Sequence, residues 1–190
     1  TQYLLMASQL LFVFLFSVSG GNELVQGPIF GSTDSTAVDA YNYYIGVMIM
    51  MIVGFGYLMT FMKNYGLGAV GFCLLVSAIG LQWGLFIEAF FYQMVNHTWG
   101  PVAINTYAIL AVTSNIAAPL ISLGGIIGKV TPLQLLIMVL LEFTAHSFNY
   151  NVLMNGILKV MDIGGTYSDH MFGCYFGLAV SYIIGAPAWW

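Results

Sequence analysis

The chain is organised by six apolar stretches separated by short polar joints. Residues 1–19 carry no charge and end at Ser19-Gly20-Gly21. Residues 42–62 lie between Asp39 and Lys63, and residues 66–94 contain a single acid, Glu88. Residues 103–128 are uncharged up to Gly128-Lys129. Residues 133–158 include Glu142 and His146, and residues 164–188 include Asp169 and His170. Each stretch is long enough to cross about 30 Å of hydrocarbon at about 1.5 Å per residue. In lipid the backbone must satisfy its own hydrogen bonds, so only helices or closed barrels span it. Strict apolar–polar alternation is missing, so the pattern predicts an all-α integral membrane protein of about six transmembrane helices. The first stretch also fits the apolar core of a signal peptide, with small residues at 17–21, but it lacks a basic N-terminal region. A retained helix is the expected reading.

Composition agrees. Of the 190 residues 60% are hydrophobic and 5% charged, against about 25% charged in soluble domains. No water-facing surface could be built from so few charges. There is no arginine, and the lysines are Lys63, Lys129 and Lys159. A net charge of −4 without basic clusters argues against nucleic acid as a partner. The expected partners are membrane lipid and other membrane chains. Cys73 and Cys174 lie in apolar runs without metal-ligand spacing, so no metal is expected and no redox compartment follows.

The joints alternate in sign. Loop 20–41 carries Glu23, Asp34 and Asp39 and no lysine, whereas Lys63 and Lys129 sit in joints on the opposite side. The positive-inside rule makes those two joints cytoplasmic and places loops 20–41, 95–102 and 159–163 outside, with Lys159 as the dissenting charge. Asn96-His97-Thr98 is a glycosylation sequon on the outer side, in use or by chance. Gly124/Gly128 and Gly173/Gly177 have the G-x-x-x-G spacing of close helix contacts.

Ionisable groups within spans are costly, about 2.5–3.5 kcal/mol each on insertion scales, and mark candidate function. Five occur: Glu88, Glu142, His146, Asp169 and His170. Glu142 and His146 are four apart on one helical face, a possible polar pair that is either structural or functional. Asp162 precedes Ile-Gly-Gly and can cap the last helix. His170 follows it by about 12 Å along the axis and about 80° round, near the midplane where transporter sites lie. Asp169 should be paired or protonated, with His170, a lysine of another chain or a water-filled cavity as candidate partners. No G-x-S-x-G, H-E-x-x-H or phosphate-binding glycine loop is present, so no enzyme is expected. His146 and His170 could ligate haem, but nothing else supports a cofactor, and none is expected.

Several segments match a known pattern. They are Gly54-Phe55-Gly56-Tyr57-Leu58-Met59-Thr60-Phe61, Tyr65-Gly66 with Ala69-Val70-Gly71-Phe72, Ile79-Gly80-Leu81-Gln82-Trp83, and the run from Gly128-Lys129-Val130-Thr131-Pro132 to Met138. The most specific is Asp162-Ile-Gly-Gly-Thr166, then His170-Met-Phe-Gly, then Tyr175-Phe-Gly-Leu-Ala-Val. In order and spacing, from about residue 40 to the end, the chain resembles the Rh glycoproteins of the ammonium transporter family.

That resemblance implies two five-helix halves related by inverted pseudo-symmetry, preceded by one extra helix. Here residues 1–22 would be the extra helix and 40–190 one five-helix repeat, within a single transmembrane domain 1–190 that lacks the second repeat. It also implies a homotrimer in the plasma membrane, an organelle membrane staying open, that conducts ammonia or ammonium and carbon dioxide as a further permeant. By the same resemblance His170 is the pore histidine, Asp162 organises the outer vestibule and Phe55 lies near the pore. The departures are Ser114 where an outer-gate phenylalanine belongs, Asn149-Tyr150-Asn151 where an Asn-Glu belongs, and Asp169 where an apolar or small residue belongs. The chain starts at Thr1 and stops at Trp190, so it is expected to be either a fragment or a half-length relative. Two functions follow: part of an ammonia channel, or a non-conducting structural membrane subunit. In either case this chain alone is expected to enclose no complete pore.

Overall fold

A computed structural model describes residues 2–19, 35–61, 63, 66–100, 102 and 104–185. Loop residues 20–34, with Glu23 and Asp34, and the end 186–190 lie outside the described residues. Among the described residues six helices follow in order, several of them built from joined segments. Helix α1 is Gln2–Ser19. Helix α2 runs over 35–61, as Ser35–Met48, a wide π turn Ile49–Gly54, Phe55–Leu58 and a tight last turn Met59–Phe61. Helix α3 is Gly66–Asn96. Helix α4 is Thr106–Ile126, broken at Ile116. Helix α5 covers 132–158, as Pro132–Phe148 and a π-helical continuation Asn149–Leu158. Helix α6 covers 166–184, as a π turn Thr166–Met171 and Phe172–Ile184. The expected stretches and the helices agree closely, except that α2 starts earlier, at Ser35, because a helix can continue past the apolar segment into water.

Among the described residues, three runs are long and apolar enough to cross a membrane by composition alone: Tyr41–Phe61, Gly66–Asn96 and Thr106–Ile126. The apolarity of α5 and α6 is diluted by Glu142, His146 and three asparagines and by Asp169 and His170. The protein is an all-α, multi-pass integral membrane protein.

Local sequence explains the helix starts. Asn105 Oδ1 accepts from Ala108 N at 2.8 Å at the head of α4. At the head of α5, Thr131 and Gln134 form a reciprocal capping box with Pro132 in the first turn. The break in α4 sits three residues before Pro119, which has no N–H to continue the ladder.

The core lies between α3, α4 and α5, with Val76, Leu120, Ile126, Val139 and Phe143 fully enclosed. Trp83 of α3 donates to Leu140 O at 3.1 Å and Thr144 Oγ1 at 3.0 Å on α5. Helix α1 leans on α3: Phe12 is buried with its ring 6.4 Å from that of Trp83, and Gln82 donates to Gln9 Oε1 at 2.8 Å. The α4–α6 crossing is tighter. A Cβ on Gly173 would come 2.7 Å from Ala118 O, and one on Gly177 2.8 Å from Ser122 Cα. Gly173/Gly177 is therefore a close seam. Gly124/Gly128 is not: Gly128 has φ +80° in the turn after α4, and Gly124 faces the flexible end of Met59.

Candidate functional site

A cavity of about 460 Å³ opens between α2, α4, α5 and α6. Phe55, Ser114, Asp162, Asp169 and His170 all line it, with Asn115 and Tyr150. The three π-helical segments each contribute to its wall: Met50 and Met51 from α2, Tyr150, Met154 and Asn155 from α5, Ser168, Asp169 and His170 from α6. Such wide turns re-aim side chains that a regular ladder would point elsewhere, and they recur at functional sites.

Asp162 is placed by the chain reversal before α6. Gly164 and Gly165 take φ of +68° and +65°, conformations that an L side chain resists. The carboxylate folds back over the helix start, accepting from Tyr167 N at 3.1 Å and Ser168 N at 2.8 Å. Desolvation pushes its carboxyl up. The hydrogen bonds from Ser168, with those of Tyr167 and Thr166, outweigh that and hold it below the ordinary carboxylate range.

Behind the cavity wall lies a buried polar layer. His146 is 0% exposed, and its Nε2 lies 2.7 Å from Asp169 Oδ1. Tyr150 stacks on the imidazole at 6.2 Å, and Phe172 meets it edge-on at 5.5 Å. Glu142, also 0% exposed, is hydrogen-bonded to Ser122, which donates to Gly173 O at 2.8 Å. Glu88 accepts from Asn115 on α4. No lysine lines the cavity; Lys129 donates to Ser181 Oγ at 2.9 Å at the far end of α6.

Two sequence expectations need correction. Glu142 and His146 share a face but do not pair, because each finds a better partner across a helix interface, Ser122 for the acid and Asp169 for the imidazole. Asp169 is paired, as expected, but its partner is His146 of α5, which was not among the candidates named for it. Ser114 hydrogen-bonds its own helix, donating to Leu110 O at 3.1 Å, and leaves the cavity open where an aromatic ring was expected. His170 lines the cavity and is exposed. Sequence reasoning passed over Asn115 in the cavity wall and Ser122 in the buried layer behind it, and named Tyr150 only as part of a departure from the family pattern.

Comparison with known proteins gives a consistent result. The family model described as the Ammonium Transporter Family matches residues 4–188. Ammonium transporter Rh type A of Canis lupus familiaris is 39% identical over 178 residues, 92% of this chain and 41% of the relative. Ammonium transporter Rh type C of Xenopus laevis is 38% identical over 147 residues, 77% of this chain and 30% of the relative. The solved structure described as Nitrosomonas europaea Rh50, with the mechanism of conduction by the Rhesus protein family of channels, superposes with a TM-score of 0.66 at 28% identity, covering 80% of this chain and 40% of that one. The chain thus spans less than half the length of each of these proteins. With its helix order, its cavity and these matches taken together, the chain belongs to the Ammonium Transporter Family.

Proposed function

We propose that the chain forms the first five-helix repeat, residues 40–190, of an Rh-type conduit for ammonia or ammonium, with residues 1–22 as an additional helix. The observation that carries this reading is the single cavity that gathers Phe55, Asp162 and His170 from three separate segments. A carboxylate at the mouth attracts a cation, apolar walls exclude hydrated ions, and an imidazole can hydrogen-bond a small amine in transit. Passage of this kind breaks no covalent bond of a substrate, so the protein is not an enzyme. His170 is exposed, so the conduit's far wall is supplied by other helices, in the same chain or a partner; the resemblance to the Rh proteins implies a homotrimer. The joints at Lys63 and Lys129 face the cytoplasm of the plasma membrane; thiol labelling of N64C and V130C from the outside should fail.

Ser114 in the gate position and the buried Asp169–His146 pair favour a second reading, a structural membrane subunit that does not conduct. Reconstitution into vesicles with ammonia-driven alkalinisation decides between them. Conduction predicts flux through the complete assembly that falls at least about tenfold with His170→Ala, beyond any loss of folded protein. Flux at the bare-lipid rate, with normal assembly, establishes the structural role.

A further inference from the structure

A second cavity, of about 580 Å³, lies between α3, α4 and α5 on the side of loop 97–105, and neither Asp162 nor His170 belongs to it. Glu88 sits in its wall eight residues before the end of α3, about 12 Å in from that end. One carboxylate oxygen accepts from the Asn115 amide, and the other accepts nothing among the described residues. Gln93 uses its amide N–H on Gly100 O at 3.0 Å, and Asn151 uses its own on Ser147 O at 3.1 Å. Both amide oxygens are left without a donor among the described residues.

The cavity therefore collects a carboxylate and two amide oxygens, and no lysine lines it. A carboxylate without a cation inside a span is unfavourable. Tyr92 and Tyr107, 60% and 55% exposed, also line the cavity, and aromatic rings of this kind attract cations. Leu85, Ala89, Ala108, Ala111 and Val112 make one part of the wall apolar, while Thr98 and Asn105 add polar groups on the loop side. An ammonium ion alone could not use that apolar wall, whereas an alkylammonium could. Its three N–H groups would meet Glu88 and the amide oxygens while its carbon chain lay along the alanines and Leu85.

We propose that the cavity between α3, α4 and α5 is a binding site for a primary alkylammonium, with Glu88 as its anionic anchor and Tyr92 and Tyr107 as its aromatic lining. It shares Tyr150 with the wall of the His170 cavity but contains neither Phe55, Asp162 nor His170, so its failure would leave the conduction reading untouched.

The probe is n-butylammonium, with n-butanol as its uncharged counterpart, titrated calorimetrically into the full chain in non-ionic detergent micelles. Saturable binding of n-butylammonium is expected, at least about tenfold weaker in Glu88→Gln, which keeps the acceptor for Asn115. Tyr107→Leu should weaken it about two- to thirtyfold. Unchanged helical circular dichroism in both variants shows that the fold is retained. If Glu88→Gln does not fold, the Tyr107→Leu result carries the test. Equal binding in the variants and the native chain overturns the proposal, as does n-butanol binding as tightly as n-butylammonium. So does a protonated-carboxyl infrared band that is lost in Glu88→Gln and unmoved by n-butylammonium.

Discussion

His146 Nε2 and Asp169 Oδ1 meet at 2.7 Å across the interface of α5 and α6, inside a bundle where neither side chain could otherwise shed its polarity. The imidazole is fully enclosed, with aromatic rings on three sides: Phe143, Tyr150 and Phe172. Removing one partner of such a pair strands the other in a low-dielectric site, at about 3–5 kcal/mol. Asp169→Leu and His146→Phe should each lower the thermal unfolding midpoint in detergent strongly. The double variant should recover most of the loss, because two apolar groups then meet. If the two single losses simply add, the residues are not coupled.

That pair also shows where sequence reading stopped. The six helices were legible because lipid demands long apolar runs and charged groups mark their ends. The grouping of Phe55, Asp162 and His170 was legible through family resemblance, and the capping by Asp162 through local sequence. What sequence periodicity can pair is limited to neighbours three or four apart on one helix, such as Glu142 and His146. The actual partners, Asp169 for His146 and Ser122 for Glu142, are 23 and 20 residues away. Their meeting depends on how α4, α5 and α6 cross. The π turns that aim Asp169 and Tyr150 carry no sequence pattern that local propensity reads.

The α4–α6 crossing gives a prediction of opposite outcomes for two glycines. Gly177 lies so close to the Ser122 backbone that an added methyl must push the helices apart. Gly177→Ala should cost about 1–3 kcal/mol, like other overpacked contacts. It should also disturb the Ser122–Gly173 hydrogen bond nearby. Gly68→Ala, where nothing lies within 4 Å of the new carbon, should be neutral or slightly stabilising through helix propensity. Thermal midpoints of the two variants, measured side by side, check this. Equal shifts would mean that the seam is not under steric constraint.

Asp162 predicts a pH dependence with a definite sign. Its folded-state carboxyl is held below its ordinary value by the Ser168 and Tyr167 hydrogen bonds. The stabilisation is therefore present above the unfolded-state value and is lost as pH falls through the lower folded-state value. Asp162→Ala should remove a cap worth about 1 kcal/mol near neutral pH. The difference between variant and native chain should shrink as the medium is acidified. A difference that stays constant from neutral to strongly acidic pH would assign the effect to something other than the ionised cap.

His170 yields the prediction with most consequence for function. Its exposure differs in kind from that of residues further along α6. Tyr175, Leu178, Tyr182 and Ile183 are large, apolar or aromatic and highly exposed, which suits lipid or a covering helix. His170 is exposed too, yet it lines the cavity with Asp162, and an imidazole facing acyl chains would bear a desolvation cost with no partner. It should therefore face water or polar groups within the assembled protein. In a Cys73→Ala, Cys174→Ala background, H170C in native membranes should react with a small hydrophilic thiol reagent. L178C, further along the same helix, should react only with a lipid-soluble one. The reaction at 170 should slow when Tyr150 is replaced by Trp, which narrows the same cavity from α5. If 170 reacts like 178, the ring position belongs to the lipid face, and the cavity of Phe55, Asp162 and His170 is not part of any aqueous path.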